Sequence, residues 1–153
     1  MKPSAIDRVL AECNIHPVLV DIGASDKPPP IWQTIARHSI YVGFDPDLRE
    51  MRELPPGSFY KGFVLNQAVT NVPQVNDVNF FLTHSPFCSS VLPPDQPSLD
   101  HYHFADSFTV EKQATVPATR LDDVVSRLAL GEIDWLKIDS QGTDLRLFNS
   151  LAD

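Results

Sequence analysis

The stretch Val18-Leu19-Val20-Asp21-Ile22-Gly23-Ala24-Ser25 decides the fold. Its apolar opening is uninterrupted, which is the pattern of a strand buried on both faces of a parallel sheet, and Asp21-x-Gly23 then closes it. Ile40-Tyr41-Val42-Gly43-Phe44 repeats the pattern and stops at Asp45-Pro46. A third run, Ile133 to Ile138, stops at Asp139. Between the first two, Pro28-Pro29-Pro30 followed by Ile31, Trp32, Ile35 and Ala36 predicts a helix, because Pro is tolerated in a first turn, and His38-Ser39 ends it. Strand, helix and strand in alternation imply an α/β fold with a mostly parallel sheet and flanking helices. Ligands of such folds lie beyond the carboxyl ends of the strands, where Asp21, Asp45 and Asp139 stand.

Working outward, Ser4 with Asp7 three positions on resembles a capping box, and the spacing of Ile6, Val9, Leu10 and Cys13 predicts a helix over 4–13. Leu48 to Leu54 predicts a short helix, and Phe59 to Val69 a strand centred on Phe63-Val64-Leu65. Val78 to Leu82 predicts another strand. From Thr83 to Ser107 no period is sustained, which predicts a long irregular insertion over the site, more mobile than the strands. Ala114 to Pro117 reads as a short edge strand, since Pro cannot donate in a central ladder. Thr119, with Asp122 three positions on, opens a predicted helix through Leu130 with Gly131 at its end, and Asp144 to Leu151 predicts a last helix. No repeat or linker interrupts the chain, so 1–153 reads as one domain.

Composition narrows the partners. Twelve basic against 20 acidic residues give a net charge of −8, so a surface that tracks phosphates would work against the mean field, and neither nucleic acid nor an anionic membrane is an expected partner. Cys13 and Cys88 form no Cys-x-x-Cys pair, and the N-terminal stretch, with Asp7, Arg8 and Glu12, lacks the apolar core of a signal peptide. The expectation is a soluble, cytoplasmic protein.

Asp45 stands 22 positions after Gly23, close to the offset of about 20 at which an acidic residue meets a ribose hydroxyl in dinucleotide-binding folds. That spacing suggests a nucleoside ligand, Gly23 allowing close backbone approach; the bland alternative is that Asp45-Pro46-Asp47 only builds a turn. A nicotinamide-dependent oxidoreductase would want Gly-x-Gly-x-x-Gly, whereas Ala24, Ser25, Asp26 and Lys27 follow the lone Gly23. Acidic Asp21 and Asp26 suit a ligand that carries a cation, and S-adenosylmethionine fits.

The motifs Asp21-Ile22-Gly23-Ala24-Ser25, Gly43-Phe44-Asp45-Pro46-Asp47, Asn66-Gln67-Ala68-Val69, Thr119-Arg120-Leu121-Asp122 and Leu136-Lys137-Ile138-Asp139-Ser140-Gln141-Gly142 occur in that order. Together they resemble the FkbM-like S-adenosylmethionine-dependent methyltransferases. The resemblance implies a Rossmann-like methyltransferase fold in which the loop from Asp21 through Gly23 and Ala24 to Ser25 passes the methionine part of the cofactor. It implies that Asp45, where the family usually has Glu, holds the ribose hydroxyls, that Asn66 to Ala68 border the adenine, and that Asp139 faces the transferred methyl group. It further implies a small-molecule hydroxyl acceptor, a sugar or secondary metabolite, and a fold truncated before its fifth strand. Ile133 to Ile138 would then form a sheet edge through which two copies could associate. A noncatalytic module that keeps the fold without an acceptor pocket is the alternative.

Asp139 is the first candidate for general base or acceptor-orienting group, against a reading as a helix cap. His84 is the second, because imidazole titrates near neutrality, against a reading as a surface residue. His101-x-His103 with Asp100 and Asp106 lacks a third ligand at an established spacing, so no metal is assigned. Ser85, Ser89 and Ser90 have no nucleophile elbow around them and read as lid contacts. Trp32 and Trp135 read as core, and Lys137 as a structural ion-pair partner.

Overall fold

The computed structural model describes residues 4–25, 27–50 and 53–151. Helix α1 (Ala5–Glu12) opens with the expected box: Ser4 Oγ accepts from the Asp7 amide, and the Asp7 carboxylate accepts from the Ser4 amide at 2.8 Å. Asn14, at φ 52°, ends it with a reversed turn, its neighbour Ile15 donating back to the Leu10 carbonyl at 2.9 Å.

Four parallel strands form the main sheet, in the order β3 (Lys61–Leu65), β2 (Ile40–Phe44), β1 (Val18–Ile22), β7 (Trp135–Ile138). The strand alternation sorts side chains to two faces. Val18, Val20, Ile22, Val42 and Phe44 face a core that includes Val69, Val124 and Leu147, whereas Leu19 and Tyr41 face Trp32 and Phe59. Both faces are therefore covered, and all five residues of β1 are buried. Burying a large aliphatic or aromatic side chain contributes about 1.5–3 kcal/mol, so this central strand anchors the fold.

A second, three-stranded sheet runs β4 (Ala68–Val69), β6 (Val110–Thr119), β5 (Asp77–Thr83), with β4 and β6 parallel and β5 and β6 antiparallel. Here the chain departs from the short edge strand expected over Ala114 to Pro117: β6 has ten residues and pairs on both sides. Pro117 is accommodated because strand amides alternate in direction. Ala118 donates to Asn76 at 2.7 Å, so the Pro117 nitrogen faces the other side, where pairing with β4 begins only at Ala118.

The crossover between β1 and β2 also differs from expectation. In place of a helix over Pro28 to Ala36 it carries two 3₁₀ turns, Pro30–Trp32 and Ala36–His38, that bury Trp32 against Leu19 and Tyr41. Residues 48–50 form a turn rather than the start of a helix, and 51–52 lie outside the described residues. Helix α3 (Leu121–Arg127) starts at Arg120 with no side-chain cap, and the left-handed residue that ends it is Ala129 (φ 50°), not Gly131. Leu130 donates to the Val125 carbonyl and Ala129 to that of Ser126, the pair of bonds that closes a helix end.

The segment between β5 and β6 is irregular as expected, holding 3₁₀ turns at Pro86–Cys88 and Ala105–Phe108 and one short helix, α2 (Gln96–Leu99). Helix α4 (Asp144–Asn149) follows β7 and shields its core side with Leu147. Trp32 is core as expected, whereas Trp135, on the outer strand β7, is 40% exposed. Cys13 and Cys88 are free thiols. Among the described residues no helix is long and apolar enough to cross a membrane.

Candidate functional site

A cleft opens above the carboxyl ends of β1, β2 and β7, roofed by the irregular segment. Its wall includes Gly23, Ser25, Asp45, Gln67, Ala68, Phe80, Phe87, Ser89, Lys137 and Asp139. The parallel register sets these strand ends side by side: Ile22 pairs with Phe44 on one side and Ile138 on the other.

Asp45 is almost fully buried at the end of β2. Ser25 Oγ donates to its Oδ2 at 2.6 Å and the Asp47 amide to its Oδ1 at 2.8 Å, while Asn66 Nδ2 donates to its backbone carbonyl at 2.8 Å. Burial pushes its pKa up, outweighing the opposing bonds from Ser25 and Asp47. The turn reading of Asp45 is thus correct as local structure, yet it does not exhaust the carboxylate. An ionised carboxylate offers about four lone-pair sites, and one accepted bond per oxygen leaves acceptor capacity at the cleft wall.

Asp21, by contrast, is not part of the wall. It lies buried beneath it, with Tyr41 Oη donating to Oδ2 at 3.0 Å and Lys137 Nζ 3.0 Å from Oδ1. Burial pushes this carboxyl up as well, against the pull of Lys137, and burial with the Asp21 charge raises the Tyr41 phenol. Asp21 therefore spends its charge inside the protein. Asp26, paired with it in the expectation of a cationic ligand, lies outside the described residues.

Lys137 is the ion-pair partner that the sequence suggests, and its place is more central than that reading implied. Besides facing Asp21, Nζ donates to the Gly23 carbonyl at 2.6 Å and stands 3.9 Å from Asp139 Oδ2. Gly23 itself has φ 78°, and a β-carbon on it would run into the Asp139 backbone carbonyl. The close packing of the loop after β1 against the loop after β7 thus requires glycine here, and Gly23 also lies in the cleft wall. Ala24 lies outside the wall, against the space above Gly43.

Asp139 lines the cleft with its side chain 56% exposed, and Gln141 Nε2 donates to its Oδ1 at 2.8 Å. It is not a helix cap. The N-cap of α4 is Thr143, with no side-chain cap bond, and Asp144 accepts from the amides of Ser140 and Gly142 at 2.9 and 3.0 Å, so shaping the loop that presents Asp139. His84 is elsewhere: its ring pairs with Glu111 at 3.0 Å, 69% exposed, outside the cleft wall. Ala68 is in the wall, and Asn66 acts from behind it through Asp45. Among the described residues no group of three His, Cys, Asp or Glu side chains is placed to hold a metal ion.

Sequence reasoning missed the group that seats the roof. Asp47 is buried, ion-paired to Arg49 at 2.7 Å, and accepts from Ser89 Oγ at 3.1 Å, while Ser89 in turn accepts from the Thr83 amide at 3.1 Å. Ser90 Oγ donates to the carbonyls of Ser140 and Gln141 at 3.1 and 2.9 Å. Of the three serines Ser85, Ser89 and Ser90, two tie the irregular segment down, Ser89 to the β2 loop and Ser90 to the β7 loop. The signal available for the first was Asp47-x-Arg49, opposite charges two positions apart in a loop that must bury one of them.

A parallel sheet with flanking helices, with acidic residues at the ends of three of its four strands, is an α/β architecture consistent with a Rossmann-like methyltransferase fold. Compared with known families, residues 21–153 match the methyltransferase FkbM domain, and the chain belongs to that family. No curated protein and no solved structure matches it.

Proposed function

We propose that the chain binds S-adenosylmethionine across the ends of β1 and β2 and methylates a hydroxyl of a small acceptor, a sugar or secondary metabolite. The observation that carries this reading is the buried Asp45 carboxylate in the cleft wall with acceptor capacity unspent, flanked by Ser25 and by Gln67-Ala68. Those residues fit the ligand: a carboxylate suits a vicinal diol, and Ala68, Val69 and Phe80 give an apolar wall for a base. Negative charge at Asp45 and Asp139 suits a cationic ligand better than a pyrophosphate, and membership of a methyltransferase family supports the sulfonium over the nicotinamide.

When bound, the sulfonium supplies a methyl group that an acceptor oxygen takes as the carbon–sulfur bond breaks, leaving S-adenosylhomocysteine. The chain's part is largely positioning. Asp45 holds the ribose hydroxyls, Asn66 fixes the backbone of Asp45, and Lys137 holds the Gly23 loop against β7. Asp139, half exposed at the cleft, orients the acceptor hydroxyl and accepts its proton. His84 is left with its Glu111 pair and no part in transfer.

Transfer of labelled methyl groups from S-adenosylmethionine to a panel of hydroxylated sugars and metabolites tests the reading. Label in an acceptor, lost in Asp139→Ala, is the expected result. Tight S-adenosylhomocysteine binding with no transfer to any acceptor would favour the noncatalytic module.

A further inference from the structure

We propose that Lys137 binds the ligand as well as Asp21: its ammonium takes the α-carboxylate at the amino-acid end of the molecule whose ribose Asp45 holds. The inference rests on the S-adenosylmethionine reading above.

Alternation along β7 sends Leu136 and Ile138 into the core and leaves Lys137 and Asp139 on the other face, and the register sets Lys137 directly beside Asp21. A lysine ammonium has three N–H donors and no acceptor. One goes to the Gly23 carbonyl at 2.6 Å, and Nζ stands 3.0 Å from Asp21 Oδ1 as an ion pair. The remaining neighbour, Asp139 Oδ2 at 3.9 Å, is too distant for a direct bond. At least one N–H therefore has no acceptor among the described residues, and Lys137, its side chain 31% exposed, stands in the cleft wall with Gly23 and Asp139. A lysine needed only to neutralise Asp21 has no reason to reach that wall.

The charges around it match one end of the ligand. Asp21 and the Gly23 carbonyl hold the ammonium in place, so its ordering is done before any ligand arrives. An amino-acid end is a zwitterion, and its carboxylate answers the Lys137 ammonium. Ribose at Asp45 and amino acid at Lys137 then lie at the two strand ends that flank the Gly23 loop.

Calorimetry with S-adenosylhomocysteine and with its decarboxylated analogue, which keeps the ammonium and lacks only the carboxylate, tests this without an acceptor present. The native chain should prefer the carboxylated ligand by roughly 10- to 100-fold, the range of one charged hydrogen bond. Asp21→Asn should keep that preference. Asp21→Asn/Lys137→Met, which leaves no buried carboxylate unpaired, should lose it by weakening the carboxylated ligand alone, with folding checked by thermal melting. Equal affinity of the native chain for the two ligands would overturn the proposal whether or not the variants fold. Equal weakening of both ligands in the double variant would overturn it too, making Lys137 structural. Failure of the native chain to bind either ligand would instead sink the cofactor reading itself.

Discussion

A β-carbon at Gly23 and the backbone carbonyl of Asp139 would claim the same space. The first loop of the site and the last therefore interlock, and the glycine is paid for by topology. Gly23→Ala meets both a backbone clash and a left-handed φ of 78°, so it should destabilise the chain by about 2–4 kcal/mol. Denaturant unfolding would show a lowered midpoint at unchanged slope; an unchanged midpoint would contradict the close contact of the two loops.

Tyr41 and Asp21 share a buried bond of 3.0 Å beneath the cleft. Tyr41→Phe leaves one Asp21 oxygen without that donor and should cost about 1–3 kcal/mol. Because neither group lines the cleft, affinity for S-adenosylhomocysteine should change less than twofold, on the order of 0.4 kcal/mol. Thermal melting beside calorimetry separates the two effects.

Asp47 sets an acid limit. Burial works to raise its carboxyl, yet the bonds from Arg49 and Ser89 prevail and hold it below the ordinary 3.8. A folded-state value below the unfolded one contributes stability that is complete above the unfolded value and is lost as pH falls below it. Asp47→Asn should flatten the acid limb of stability against pH in that window and speed hydrogen exchange at the Thr83 amide. Asp21 and Asp45 are raised by burial and have the opposite sign: their contribution is present below the ordinary 3.8 and lost as pH rises through the higher folded values. An acid limb as steep in Asp47→Asn as in the native chain would reject the Asp47 assignment.

The two central strands were legible because Val18 to Ile22 and Ile40 to Phe44 are almost wholly buried and so read as largely apolar runs, and Trp135 to Ile138, only partly buried, still carries Trp135, Leu136 and Ile138 around Lys137. Strand β6 was not. Its first half, Val110 to Gln113, is exposed, so no alternation marks it, and Pro117 argued for an edge when only one side of that residue is unpaired. The crossover after Pro30 carries Ile31 and Trp32 at positions that fit a helix, yet Ile31 is 62% exposed and Trp32 fully buried, and short 3₁₀ turns meet that need. At the site, strand ends and their acids could be placed from spacing. The inward turn of Asp21 toward Tyr41 and Lys137 could not, since residues 20 and 116 positions away decide it.

Ser90 offers one hydroxyl proton to the carbonyls of Ser140 and Gln141, tying the roof to the loop that carries Asp139. Ser90→Ala should slow methyl transfer about tenfold, as small misplacements of a positioned group do, while S-adenosylhomocysteine affinity stays the same. Steady-state rates with equilibrium binding check this, and a loss confined to binding would place Ser90 at the cofactor instead.

The central claim is that the Asp45 carboxylate holds the ligand's ribose. Calorimetric titration of S-adenosylhomocysteine into the native chain and into Asp45→Ala, with NADH as the parallel ligand, tests it most directly. The native chain should bind S-adenosylhomocysteine and not NADH, and the variant should lose about 1.5–3 kcal/mol of binding, the scale of a lost charged hydrogen-bond partner. Equal affinity of the two proteins for S-adenosylhomocysteine, or tighter binding of NADH, would contradict the account.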